Sequence, residues 1–205
     1  MASKVHPQAG ATITTSSEKQ LFTLWMKSLI INGNGCAAFD STGRIAYRVD
    51  NYGRKCSHRV LLMDLAGDVL FTIIKRSFGL MARWEGYGSD CRGVDKEKPR
   101  FWVRKIKGIK MILGFFKRLS FYKVVVRADN IDHPCDQYVM EHHRSKPYCR
   151  IIDGFGRTLA EVKRKRSEGG IVLGEDVLAM VVEPNVDHCL IMALVVLFGL
   201  LTLRL

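Results

Sequence analysis

Cys189-Leu190-Ile191-Met192-Ala193-Leu194-Val195-Val196-Leu197-Phe198-Gly199-Leu200-Leu201-Thr202-Leu203 is apolar at almost every position, and the reading of this stretch decides the fold. No period of 2 or 3.6 leaves a polar face on it. A helix that is apolar all round lies either in a protein core or in a membrane. A spanning helix needs about 20 apolar residues, and runs of about 10–14 are more often core helices. Asp187 and His188 bound the run on one side and Arg204 on the other. The length therefore predicts an enclosed helix, with Asp187 as its cap, because a carboxylate there accepts from the free N–H groups and complements the helix dipole.

The residues before this run have strand character. Leu21–Ile31 and Cys36–Phe39 flank Asn32-Gly33-Asn34-Gly35, a hairpin signal, since Asn and Gly tolerate positive φ. The pattern Asp-x-x-Gly followed by an alternating apolar run then occurs three times: Asp40–Gly43 before Ile45, Tyr47 and Val49; Asp64–Gly67 before Val69, Phe71 and Ile73; and Asp153–Gly156 before Leu159 and Val162. An Asp side chain bonds its own backbone two residues on, and Gly takes the left-handed position that closes the turn. Phe101–Val103, Met111–Phe116, Phe121–Val126 and Ile171–Leu173 read as further strands, the last after a Gly169-Gly170 turn. Ser89–Pro99 reads as a loop, and Ile131–Pro147 as the least regular central stretch.

Amphipathic strands need an apolar surface to pack on, and the apolar helix needs complete enclosure. A closed antiparallel β-barrel around its own C-terminal helix meets both needs and leaves no sheet edge exposed. The expected fold class is thus all-β with one helix. Its domain is expected over 21–205, behind a flexible, hydroxyl-rich tail over 1–20 that lacks the apolar core of a secretory signal.

The 205 residues suit one domain, and 47% apolar content supports a real core. Lys and Arg number 32 against 20 Asp and Glu, a net charge of +12. A surplus of that size favours anionic partners such as lipid head groups or nucleic acid. The six cysteines form no C-x-x-C pair, and several lie in apolar runs, so they read as small hydrophobes in a reducing compartment.

Several stretches, in order, resemble the plant LURP-one-related family. They are Ser28–Gly35, Phe39-Asp40-Ser41 through Tyr47–Tyr52, Leu61–Asp64 with Gly67, Arg83-Trp84-Glu85-Gly86-Tyr87, Ala160–Lys165, Val172–Val177 and Met192–Val196. The resemblance covers roughly residues 20 to 205. It implies a tubby-like barrel with a buried C-terminal helix, and kinship with tubby proteins and phospholipid scramblases, whose barrels are associated with phosphoinositides and membranes. It also implies a role in plant defence or signalling.

Catalytic signatures are missing: there is no G-x-S-x-G elbow, no G-x-x-x-x-G-K-[ST] loop and no H-E-x-x-H. His133, Cys135, His142, His143 and Cys149 lie near one another, but their spacing fits no paired-ligand zinc motif. Trp84 and Tyr87 beside Arg83 are too few for a base-stacking platform and read as packing. No enzyme, cofactor or metal is expected. Two basic regions remain as a candidate lipid-binding surface: Arg100, Arg104, Lys105, Lys107, Lys110, Lys117, Arg118, Lys123 and Arg127, and the run Lys163-Arg164-Lys165-Arg166. Interleaved with apolar residues on strands, they present cations outward to an anionic head group; a solvated surface explains the same residues. The expected partner is an anionic membrane lipid, bound by a cytoplasmic, monomeric protein. The alternative is a nucleic-acid-binding or nuclear regulatory protein, which the charge alone favours.

Overall fold

The computed structural model describes residues 15–26, 35–50, 59–78, 81–88, 98–112, 115–127, 135–142 and 149–202; within these, the side chains of 78, 81–82, 107–112, 115–121, 135–136, 142 and 202 are outside the description. The strands are β1 (Gln20–Trp25), β2 (Gly35–Phe39), β3 (Ile45–Asp50), β4 (Arg59–Met63), β5 (Val69–Phe78), β6 (Met81–Gly88), β7 (Phe101–Ile112), β8 (Phe115–Arg127), β9 (Cys135–His142), β10 (Cys149–Ile152), β11 (Thr158–Arg164) and β12 (Val177–Val182), followed by one helix, α1 (His188–Thr202). Each strand pairs antiparallel with the next, and β1 pairs with β12 from Gln20↔Val182 to Trp25↔Val177, so the meander closes into a barrel of twelve strands.

The expected fold is the one observed. Helix α1 occupies the lumen, and Cys189 to Phe198 are each at most 8% exposed, on all sides of the helix. Size explains the match. Twelve strands about 4.8 Å apart, tilted as closure requires, enclose a radius of roughly 10 Å. A helix with side chains fills about half of that, and inward side chains fill the rest. Those side chains alternate along the strands, as in Phe22 and Leu24, Tyr47 and Val49, Val60 and Leu62, Phe71 and Ile73, Val124 and Val126, and Met180 and Val182, all at most 6% exposed. Asp187 caps α1 as expected, its Oδ1 accepting from the N–H groups of Cys189 at 3.0 Å and Leu190 at 3.1 Å.

The Asp turns also form as expected. Asp40 Oδ1 accepts from Thr42 N at 2.8 Å and Arg44 N at 3.0 Å, and Gly43 has φ 81°. Asp153 repeats both bonds, and Asp64 the one from the residue four positions on, with Gly67 at 92° and Gly156 at 83°. The ladder register shifts just before each Asp, between Ala38 and Phe39, Leu62 and Met63, and Ile151 and Ile152, the bulge that accompanies such a turn. A fourth turn has Ser in place of Asp: Ser167 Oγ accepts from Ile171 N at 3.2 Å, with Gly170 at φ 78°.

Because the strands alternate in direction, the barrel has two unlike ends. The Asp turns join even strands to odd ones and share one end with the start of α1. The opposite, hairpin end carries the β5–β6, β7–β8 and β11–β12 connections. The long β7–β8 pair differs from the expectation of three separate strands, running unbroken from Phe101↔Val126 to Ile112↔Phe115. β9 forms within the stretch expected to be irregular. Residues 32–34 of the expected turn, 89–97 of the expected loop and 1–14 of the tail lie outside the described residues.

Candidate functional site

Strands β5 to β8 hold eleven Lys and Arg and a single carboxylate, Glu85. Eleven cations less one anion is +10, most of the chain's net +12. The other eight strands hold five cations and four acids, close to balance. The charge surplus is therefore concentrated on one third of the barrel wall.

The register shows how these strands align their cations. Trp84 and Val103 are buried, paired with each other and directed inward, so the residues beside them project outward. Arg76 faces Arg83 across β5 and β6, and Arg104 faces Lys123 across β7 and β8. Arg83 and Arg104 are the next residues beyond the Trp84–Val103 pair. Arg76, Arg83, Arg104 and Lys123 thus form one row across four strands, spanning roughly 14 Å. Four residues towards the Asp-turn end, Arg100 and Arg127 are neighbours on the same wall, with Arg127 N–H donating to the Arg100 carbonyl at 2.8 Å.

Glu85 sits at the centre of this wall and is 3% exposed. Arg83 Nε donates to its Oε1 at 2.6 Å, Tyr87 Oη donates to its Oε2 at 2.7 Å, and Arg76 Nε lies 3.4 Å from Oε2. Burial opposes its ionisation. The hydrogen bonds from Tyr87 and Arg83 and the charges of Arg83 and Arg76 outweigh that and hold the carboxyl below its ordinary value. Burial and the bond to Glu85 raise the Tyr87 hydroxyl, so it stays a donor. Among the described residues, no carboxylate pairs with Arg104 or Lys123.

The residues singled out in the sequence divide between places. Arg100 and Arg104 lie on this wall. Lys105 lies on the inward side of β7, at the rim, with its ammonium 5.8 Å from the centroid of the buried Tyr122 ring. Lys107, Lys110, Lys117 and Arg118 belong to the β7–β8 hairpin, where Lys110 pairs with Lys117, but their side chains are outside the description. The run Lys163–Arg166 lies on and beyond β11, separated from β8 by β9 and β10. There Lys163 pairs with Glu161, Arg164 with Glu175 at 3.0 Å, Lys165 Nζ donates to Thr23 Oγ1 at 2.6 Å, and Arg166 donates to the Gly170 carbonyl at 3.2 Å. Lys123 and Arg127, the last members of the second basic region, also lie on this wall. Arg76 and Arg83 are not among the residues expected from the sequence; they come from the β5–β6 hairpin and join the wall only through the β6–β7 pairing, while Lys75 of the same hairpin pairs with the inward Trp84, its ammonium 5.9 Å from that ring.

No helix among the described residues is long and apolar enough to cross a membrane. Burial pushes the thiols of Cys36, Cys149 and Cys189 up to about 12, so they remain unreactive packing groups. At the Asp-turn end a cleft of about 900 Å³ opens beside the start of α1, lined by Asp153, Arg157, Glu183 and Asn185. Its charges are already engaged: Arg157 with Asp153 at 2.7 Å and Glu183 with Lys19 at 2.9 Å.

Comparison with known proteins agrees with this architecture. Protein LURP-one-related 11 of Arabidopsis thaliana is 42% identical, over 97% of this chain and 88% of its own length. Protein LURP-one-related 3 of the same plant is also 42% identical, over 90% and 81%. A crystal structure of another Arabidopsis thaliana protein superposes with a TM-score of 0.58 over 92% of this chain and 96% of that one; at 16% identity it supports the fold alone. The LURP-one-related family model matches residues 20–199. The chain belongs to the LURP-one-related family.

Proposed function

We propose that this barrel is a non-catalytic binding module that docks on anionic membrane surfaces, phosphoinositide-bearing ones among them, through the β5–β8 wall and the hairpin end it adjoins. The observation that carries the reading is the concentration of eleven cations against one carboxylate on four consecutive strands. Each Lys or Arg near an anionic leaflet contributes about 1 kcal/mol, so four to six on one face give useful affinity. That attraction decays within a Debye length of about 8 Å, which is why alignment in one row matters more than the total charge. The kinship with tubby proteins and scramblases implied by the sequence supports the same reading. A peripheral, cytoplasmic location would follow from it, and the family resemblance implies a role in plant defence or signalling.

Vesicle co-sedimentation tests the proposal. The chain is expected to bind vesicles containing anionic phospholipid, to release them as salt rises, and to ignore neutral vesicles. Charge reversal at Lys105, Lys107 and Lys110, or at Arg104 and Lys123, is expected to weaken binding while leaving the barrel folded. Equal binding to neutral vesicles would overturn the electrostatic mechanism. Tighter binding to duplex DNA than to anionic vesicles at the same salt would favour the nucleic-acid alternative.

A further inference from the structure

Ile171, Val172 and Leu173 are 71%, 38% and 50% exposed, consecutive, and held at the tip of the β11–β12 connection. Isolated exposed aliphatics are ordinary, but three adjoining ones on a projecting tip mark a contact surface. The tip is an ordered hairpin: Arg166 bridges Val172, Ser167 N–H donates to the Ile171 carbonyl at 2.8 Å, and Leu173 N–H donates to the Lys165 carbonyl at 3.1 Å. At its base stands Trp25, 42% exposed, with its indole N–H directed to Asp176 Oδ2 at 3.3 Å. An exposed indole with an apolar body and a polar edge suits a membrane–water boundary.

The tip leaves the barrel at the hairpin end, the end from which the basic β7–β8 pair also projects. The opposite end carries Asp40, Asp64, Asp68, Asp153 and Asp187 on its turns and helix cap. Those acids stand among Arg44, Arg100, Arg127 and Arg157, so the second end is close to balanced and an anionic surface is drawn to the first. The tip itself adds little charge, since Glu168 and Glu175 stand beside Lys165 and Arg166, and Glu175 already pairs with Arg164. Its contribution is apolar.

We propose that the barrel sits end-on at an anionic phospholipid bilayer, with Ile171 and Leu173 inserted in the interfacial layer as an apolar anchor and Trp25 at its boundary. This rests on the membrane reading above and adds to it a salt-resistant component and an orientation. Shallow insertion of two aliphatic side chains strengthens partition in proportion to the area they bury.

The test uses the full chain with vesicles of phosphatidylcholine alone, and of phosphatidylcholine with about 30 mol % phosphatidylserine, in a salt series up to roughly 0.5 M, where Debye screening removes most of the attraction between charges. The variant Ile171→Ser/Leu173→Ser is expected to bind phosphatidylserine vesicles about tenfold more weakly and to lose the residual binding that the parent keeps at high salt. Acyl-brominated phospholipid is expected to quench the parent's tryptophan fluorescence, and Trp25→Phe to reduce that quenching. Both changed positions are exposed, and circular dichroism checks that the barrel persists. Unchanged binding by the double variant at every salt concentration, with no quenching, would overturn the anchor and leave the electrostatic reading standing. Absence of vesicle binding by the parent at low salt would overturn both.

Discussion

Arg104 on β7 and Lys123 on β8 stand directly opposite each other on the outer wall of the barrel. Like charges facing across a ladder destabilise a sheet. The neighbouring pair, Arg76 opposite Arg83, has Glu85 between its charges, whereas no described carboxylate joins Arg104 and Lys123. A cation pair kept without a counter-charge is what a site for an external anion needs.

Replacing Arg104 by Glu turns that pair into an attractive one. The variant is expected to be more stable than the parent by about 0.2–1 kcal/mol in denaturant unfolding. It is also expected to bind anionic vesicles at least about fivefold more weakly, because a reversal removes one attraction and adds a repulsion. A loss of stability together with unchanged binding would refute the assignment of this row.

Glu85 makes a pH-dependent contribution to stability. Its folded pKa lies below the ordinary value of 4.5, so the stabilisation is complete above that value and is lost as pH falls through the folded one. Glu85→Gln is expected to cost about 1–3 kcal/mol at pH 7, from the charged hydrogen bonds lost to Arg83 and Tyr87. The gap between variant and parent should narrow at a pH well below 4.5. Unfolding curves for both proteins at the two pH values check this, and a gap that stays constant would show that the ionised form is not what matters.

Asp187 is the cap of the only helix described. Asp187→Ala is expected to lower stability by about 0.5–2 kcal/mol, and Asp187→Asn by less, since Asn also caps. Thermal unfolding ranks the three proteins, and equal losses for Ala and Asn would mean that the bonds to Cys189 and Leu190 are not the stabilising feature.

Gly86 and Gly88 make a matched pair on β6. A methyl group on Gly86 would fall 2.1 Å from the Phe101 ring, whereas on Gly88 its nearest neighbour is Phe71 at 3.7 Å. Phe101 has no exposed surface, and its ring lies against Phe71 at a centroid separation of 5.7 Å. Gly86→Ala is therefore expected to destabilise by about 1–3 kcal/mol or more through overpacking. Gly88→Ala should change stability by no more than about 0.5 kcal/mol. Comparable effects at both sites, read from denaturant midpoints, would contradict the packing described.

Much of the fold is legible in local sequence. The run from Cys189 has no polar face, so its enclosure follows from the cost of leaving any side of it in water. The Asp-x-x-Gly turns are equally legible, because one carboxylate and one glycine supply the bonds and the φ angle without help from elsewhere in the chain. Arg100–Arg127 stands out as basic for the same reason: charge density along a chain needs no folding to be seen.

Spacing, register and pairing across the barrel are different in kind. Lys163–Arg166 is the densest basic run, yet folding sets it beside Glu161, Glu175 and Thr23, which draw on its charges and donors. Arg76 and Arg83 look unremarkable along the chain, and the β6–β7 ladder brings them level with Arg104 and Lys123. The sequence by itself determined that there would be a barrel, a lumenal helix, capped turns and a surplus of positive charge, because these depend on residues a few positions apart. Only the tertiary structure decided which cations share a wall, which are neutralised, and which end carries the exposed Ile171–Leu173 tip. Coulomb attraction and screening act over distances in space, and distances in space between far-apart residues exist only once the strands have paired.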